Sequence, residues 1–218
     1  MRGLYAITPE SLDTTKLIEQ VRYAIAGGAN VIQYRSKRVP PDVVRTQASA
    51  LRKITKETGT IFIVNDNSDL AFMVGADGVH LGRDETDERS IFRIRQESAK
   101  RTPLQPFLIG VSCYNELSRA EEAVRVGADY IAFGSFFSSP TKPLAVKADI
   151  ALLRSARRKF RLPIVAIGGI TVGNAHQLIS VGADMVAVIS ALFDADDIER
   201  RAREFTNLFE PGPHVCQK

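Results

Sequence analysis

Gly28-Ala29-Asn30, Gly75-Ala76-Asp77, Gly127-Ala128-Asp129 and Gly182-Ala183-Asp184 each stand immediately before a short apolar run. Successive glycines are 47, 52 and 55 residues apart, and each interval has room for two strand-plus-helix units. Four copies at that spacing imply eight units, the number that closes a parallel barrel. The runs predict strands over 4–8, 31–35, 61–64, 78–81, 108–111, 130–133, 164–167 and 185–189. Most are continuously apolar, as strands covered on both faces are. Between them apolar residues recur with helical period: Leu17, Ile18, Val21, Ala24 and Ile25, then Ile150, Leu153, Ala156 and Phe160, then Ile198, Ala202, Phe205 and Phe209. The expected fold is α/β, a single-domain (β/α)8 TIM barrel over 1–210, with the Pro/Gly-containing segment 211–218 as a flexible tail. An open doubly wound sheet is disfavoured because the repeat is even and no G-x-G-x-x-G follows the first strand.

Composition agrees with one such domain. The 218 residues are 44% hydrophobic and 25% charged, and no apolar stretch approaches the roughly 20 residues that span a bilayer. The start, Met1-Arg2-Gly3-Leu4-Tyr5, leads into a strand rather than a secretory signal, so a cytoplasmic protein without membrane attachment is expected. Cys113 and Cys216 are far apart and form neither a CxxC motif nor a disulfide framework. The net charge of +4 is spread over helix positions such as Arg154, Arg157, Arg158 and Lys159 without interleaved aromatics. That pattern argues against nucleic acid and leaves anionic small molecules as partners. Nothing in it specifies an oligomeric state.

In a parallel barrel the residues just after each strand share one rim, where ligands bind. After the second strand, Gln33-Tyr34-Arg35-Ser36-Lys37 puts Gln33, Arg35 and Lys37 on one side of an extended segment by period-two alternation. The third strand runs into Asn65-Asp66, and the fourth through His80 and Arg83 into Asp84-Glu85. Asp66 and Glu85 offer hard oxygens near cations, a setting suited to Mg²⁺ bridging to a diphosphate. Asp66 could equally cap the following helix. His80, with no second His or Cys at ligand spacing, is expected to hydrogen-bond within the strand layer rather than bind metal. Ser112 follows the fifth strand as a rim hydroxyl or a helix cap. The loop from Gly134 through Ser138, Ser139, Pro140, Thr141 and Lys142 is long and rich in hydroxyls, as a functional loop is. After the seventh and eighth strands, Gly168-Gly169 and Ile189-Ser190 stand where barrels of this kind hold phosphate on backbone N–H groups. No Ser/His/Asp arrangement, activated Cys or strand-embedded Lys nucleophile accompanies them, so the expected chemistry is positioning and charge stabilisation.

These strings, together with Gly75-Ala76-Asp77-Gly78-Val79-His80-Leu81-Gly82, Gly110-Val111-Ser112 and Ala166-Ile167-Gly168-Gly169-Ile170, closely resemble the thiamine-phosphate synthase family over nearly the whole chain. The resemblance implies a transferase of thiamine biosynthesis that joins a hydroxymethylpyrimidine diphosphate to a thiazole phosphate, releasing diphosphate with Mg²⁺. It implies a dissociative course through a pyrimidine methylene cation. By the same resemblance Gln33, Arg35, Lys37, Asn65, Ser112 and Lys142 hold the pyrimidine diphosphate, with Arg35, Lys37, Ser112 and Lys142 catalytic and Tyr34, Ser36 and Gly168 among the substrate-binding residues. Asp66 and Glu85 hold the metal, while Ser139, Pro140, Thr141, Gly169, Ile189 and Ser190 hold the thiazole phosphate. The chain departs from the family pattern at Glu85, usually Asp, at Arg83, often Gln, and at Ser139, usually Thr; Asp84 is the alternative carboxylate. Two other readings are a barrel that binds the phosphates without joining them, and a related thiazole tautomerase. The latter needs an acid/base residue near Ser135, where a His is missing.

Overall fold

The computed structural model describes residues 1–82, 87–101, 106–138 and 146–210. Arg83, Asp84, Glu85, Ser139, Pro140, Thr141, Lys142 and the tail 211–218, all singled out above, lie outside the described residues. In chain order the elements are β1 (Gly3–Ile7), α1 (Thr14–Ala26), β2 (Val31–Tyr34), α2 (Pro41–Thr58), β3 (Ile61–Asn65) and α3 (Ser68–Val74). Then come β4 (Gly78–Leu81), α4 (Glu88–Arg101), β5 (Leu108–Tyr114), α5 (Leu117–Arg125), β6 (Tyr130–Phe133) and α6 (Ile150–Lys159). The last are β7 (Ile164–Ile167), α7 (Val172–Ile179), β8 (Met185–Val188), α8 (Ser190–Phe193) and α9 (Ile198–Asn207). The strands pair in parallel in sequence order, and β8 returns to β1, closing the barrel. No described helix is long and apolar enough to cross a membrane.

The fourfold repeat has a physical purpose at the rim where strands begin. Each repeat glycine lies at or just past the end of a helix with positive φ: 97° at Gly28, 69° at Gly75, 96° at Gly127 and 115° at Gly182. The following alanine is buried and donates its N–H back into that helix, as Ala76 does to the Ala71 carbonyl at 2.8 Å. The Asn or Asp then grips the preceding strand at both backbone groups. Asp77 N donates to Phe62 O at 2.9 Å while Phe62 N donates to Asp77 Oδ2 at 2.8 Å. The same reciprocal pair joins Asn30 to Leu4, Asp129 to Ile109 and Asp184 to Ile164. At the three aspartates an arginine from the helix one unit back completes the seam: Arg52 in two hydrogen bonds to Asp77, Arg95 to Asp129 and Arg157 to Asp184. Asn30, the neutral member, takes no such partner among the described residues.

Alternation along each strand divides the core. Outward residues such as Ile32, Phe62, Val79, Ile109 and Ile131 pack under helices that bury Leu17, Val21 and Ala24 of α1, or Ala202 and Phe205 of α9. Each large aliphatic or aromatic side chain so covered contributes about 1.5–3 kcal/mol. Inward residues Tyr5, Ile7, Val31, Ile63, Tyr130, Ala132, Val165, Met185 and Ala187 fill the barrel. Strand β5 outruns the predicted 108–111: Ser112 and Cys113 continue it to a register shift against β6, beside Tyr114 at φ 54°. Cys113 is buried against the helix layer, and burial pushes its thiol up to about 12, so it is a packed, unreactive side chain.

Candidate active site

Strand β2 and the loop after it form one flank of the rim. Gln33 is inward and 2% exposed, and its Nε2 donates to Tyr5 Oη at 3.0 Å. Arg35 N donates to Thr8 Oγ1 at 3.0 Å, while Lys37 N and Arg38 N donate to the Glu10 carboxylate at 2.7 and 3.2 Å. Glu10 thereby moulds the loop that presents both cations, and Arg35 Nη1 lies 4.0 Å from it. Lys37 Nζ reaches Asp66 Oδ2 at 3.3 Å. The alternation that gathers Gln33, Arg35 and Lys37 sends Tyr34 the other way: its hydroxyl donates to Gln47 Oε1 of α2 at 2.8 Å. Tyr34, expected among the substrate contacts, therefore has its ring between sheet and helix rather than at the mouth. Ser36 is half-buried between the two cations.

Asp66 does not cap the next helix. Asn67 does so, its Oδ1 accepting from Leu70 N at 2.9 Å. Asp66 itself takes the left-handed region at φ 60°, where Asp is tolerated better than most residues. Its backbone N donates to His80 O, its Oδ1 accepts from Gly82 N at 3.1 Å, and its Oδ2 accepts from Asn65 Nδ2 at 2.6 Å. The carboxylate is thus aimed and held, with an ammonium beside it. No cluster of three or more His, Cys, Asp or Glu exists among the described residues. Magnesium needs no such cage, because it takes one or two carboxylates and completes its shell with phosphate oxygens and water. An aimed hard oxygen at the rim beside the Lys37 ammonium fits that ion.

Inside the barrel a continuous polar chain crosses five strands. From Gln33 Nε2 it passes to Tyr5 Oη, to Tyr130 Oη at 2.9 Å and to His80 Nδ1 at 3.1 Å. It ends where His80 Nε2 meets Ser112 Oγ at 2.9 Å. Ser112 is consequently an inward strand residue bonded to His80 and not a cap, α5 beginning after Glu116. Gly110 makes room for this arrangement, since a Cβ there would lie 2.0 Å from the Tyr130 ring. Burial holds the His80 imidazole down to about 4, against the opposing pull of the Asp66 charge, so it is neutral near pH 7. Burial also raises both tyrosines, which stay protonated.

The opposite flank is built from the ends of β6 to β8. Phe136 N donates to Ile167 O and Phe137 N to Gly168 O, so the loop after β6 runs against the turn after β7. A Cβ at Gly168 would meet Ser135 Oγ at 2.0 Å, and one at Gly169, φ 61°, would meet Ser138 O at 2.3 Å. The two glycines therefore admit a neighbouring loop, a packing role beside the phosphate-holding one that the sequence suggested. The base of that loop is clasped by Ser135 N to Val146 O and Ala148 N to Ser135 O, both at 2.9 Å. Thr171 and Asn174 form a capping box at the start of α7, and Asn174 Nδ2 also donates to Gly169 O. Ile189 and Ser190, half-buried, open α8 directly after β8.

Arg35, Lys37, Asn65, Asp66, Ser112, Gly168, Gly169, Ile189 and Ser190 thus follow or end parallel strands and share one rim. Sequence reading missed Thr8, Glu10, Tyr5 and Tyr130. The two tyrosines leave a signal: both stand at inward parity in otherwise apolar strands, where a hydroxyl requires a partner.

A closed parallel barrel with cations, an aimed carboxylate and glycine-rich turns on one rim defines the class of barrel enzymes that handle phosphorylated small molecules. The family profile described as thiamine monophosphate synthase matches residues 4–192. The chain is 49% identical over 211 residues to the thiamine-phosphate synthase of Thiobacillus denitrificans, covering 97% of this chain and 96% of that one. It is 50% identical over 210 residues to that of Methylobacillus flagellatus, covering 96% of each. The structure of thiamine phosphate pyrophosphorylase from Pyrococcus furiosus superposes with a TM-score of 0.79 at 35% identity over 95% of both chains. The chain belongs to the thiamine monophosphate synthase family.

Proposed function

We propose that the protein is a transferase that joins 4-amino-2-methyl-5-(diphosphooxymethyl)pyrimidine to 4-methyl-5-(2-phosphooxyethyl)thiazole, giving thiamine phosphate and diphosphate. The observation that carries the site assignment is the Lys37–Asp66 pair, 3.3 Å apart on the rim and flanked by Arg35 and Asn65. Lys37 and Arg35 neutralise a diphosphate, and Ser112 and Asn65 add hydrogen bonds to the same substrate. Asp66, with Glu85, would hold Mg²⁺, which when bound supplies charge stabilisation to the departing diphosphate. The turns at Gly168-Gly169 and Ile189-Ser190, with Ser139, Pro140 and Thr141, receive the thiazole phosphate, and Lys142 completes the diphosphate contacts. Tyr34, at the end of β2, and Ser36, in the loop that follows, support this site.

The Ser112–His80 contact positions a hydroxyl toward the substrate and is read as a hydrogen bond, not as a nucleophile and its base, which suits a dissociative course. The fixed cations stabilise charge as it grows on the leaving group, a kind of interaction often worth several kcal/mol in the transition state. The product then forms when the thiazole nitrogen, held across the rim, captures the pyrimidine methylene carbon. The test is direct. Purified protein incubated with both substrates and Mg²⁺ should release diphosphate and thiamine phosphate in equal amounts, and chelation should stop it. Binding of either phosphate, detected as a melting shift, without any diphosphate release would overturn the assignment.

A further inference from the structure

The polar chain inside the barrel has a direction, and hydrogen counting sets it once Gln33 presents Nε2 rather than Oε1 to Tyr5. Each tyrosine hydroxyl owns one hydrogen, and Tyr5 Oη already accepts from Gln33 Nε2. If Tyr5 donates to Tyr130, then Tyr130 donates to His80 Nδ1, and the neutral imidazole carries its proton on Nε2 toward Ser112 Oγ. Ser112 then keeps its own hydrogen to offer elsewhere. The reverse direction would have Tyr5 accept from both neighbours, leaving its hydrogen without an acceptor at a position 1% exposed. A buried donor left unpaired costs about 1–3 kcal/mol, enough to decide between the two directions.

We propose that Gln33, Tyr5, Tyr130 and His80 form an oriented relay that holds Ser112 as a hydrogen-bond donor toward the mouth, with His80 as its positioning residue. The group received by Ser112 is an acceptor atom of the pyrimidine diphosphate. This rests on the reading of Ser112 as a contact to that substrate. The relay explains why two tyrosines and a histidine occupy the middle of an otherwise apolar barrel. It also explains Gly110, whose missing side chain leaves the space in which the Tyr130 ring lies.

The polarity can be read without catalysis. The protein has three histidines, and ¹⁵N NMR of imidazole-labelled protein, with His80 assigned by the signal lost in His80→Gln, reports its tautomer. The expected state at pH 7 is Nε2–H with a bare Nδ1. An Nδ1–H tautomer overturns the relay direction while leaving the Ser112 contact intact. Kinetics tests the consequence. Tyr130→Phe, which keeps the ring and removes one hydrogen, should lower kcat/KM for the pyrimidine diphosphate about 10-fold, the equivalent of one hydrogen bond, and leave the KM for thiazole phosphate unchanged. His80→Leu should lose at least as much. His80→Gln, whose amide can accept from Tyr130 and donate to Ser112, should recover most of that loss; equal losses in the two His80 variants would overturn the positioning role. Wild-type turnover in Ser112→Ala, with the Nε2–H tautomer present in the parent, would instead remove the substrate contact.

Discussion

Asp66 sits in a backbone conformation that few side chains accept, and its carboxylate is fixed by Gly82 N, Asn65 Nδ2 and Lys37. Strain of this kind persists where the surroundings over-determine it, commonly at functional sites. Asn also tolerates the left-handed region and can accept the same hydrogen bonds, so Asp66→Asn removes charge while keeping shape. We expect kcat to fall on the order of 10²–10³-fold in steady-state assays, with a melting temperature within about 3 °C of the parent. Wild-type turnover in that variant would take Asp66 out of the machinery. At this scale the sequence was readable where alternation governs, in Gln33, Arg35 and Lys37; Asp66, next to Asn65 at the end of β3, meets Lys37 through its left-handed backbone instead. The same parity, applied to Tyr34, points it away from the mouth, against its inclusion by family likeness. Glu10 was invisible because its work is to accept two backbone N–H groups of a loop 27 and 28 positions on, which no local pattern announces.

At the scale of elements, the seams at the start of the barrel set strand register. Asp77 both accepts from Phe62 N and takes two hydrogen bonds from Arg52, in a pair whose side chains are 28% and 19% exposed. Asp77→Asn keeps an oxygen for Phe62 N and loses the ion pair, so urea unfolding should show a loss of about 1 kcal/mol. Asp77→Ala also orphans the Phe62 N–H and the guanidinium, and should cost about 2–4 kcal/mol with an unchanged m-value. Equal costs for the two variants would show that the strand-gripping hydrogen bond carries no weight. Strand limits came out of the sequence nearly residue for residue, because apolar runs between helix stops are strong signals. β5 is the exception. Ser112 and Cys113 look like the polar end of a run, yet one turns inward to His80 and the other outward into the helix layer.

For the whole molecule, the least legible feature was the barrel interior, where Tyr5 and Tyr130 meet across 125 residues of chain. Such a contact depends on closure and stagger, which are properties of the complete ring and of no segment. The interior also links global stability to pH. His80 titrates near 4 in the folded protein and near 6.5 when unfolded, so above pH 6.5 it costs nothing. As pH falls from 6.5 toward 4, the unfolded chain gains a proton that the folded one refuses, and stability drops; below about 4 this loss stops growing. Between pH 7 and 4.5 the parent should lose about 2 kcal/mol more than His80→Gln, measured by denaturant unfolding at both pH values. Equal losses would show that burial does not depress this imidazole. The repeated Gly-Ala-Asx seams have one more consequence. Three of the four carry a guanidinium and the Asn30 seam carries none among the described residues, so a single polypeptide contains three experimental samples and its own uncharged control. The worth of a charge at a fixed architectural joint can be compared here within one molecule, free of the differences in background that separate homologues.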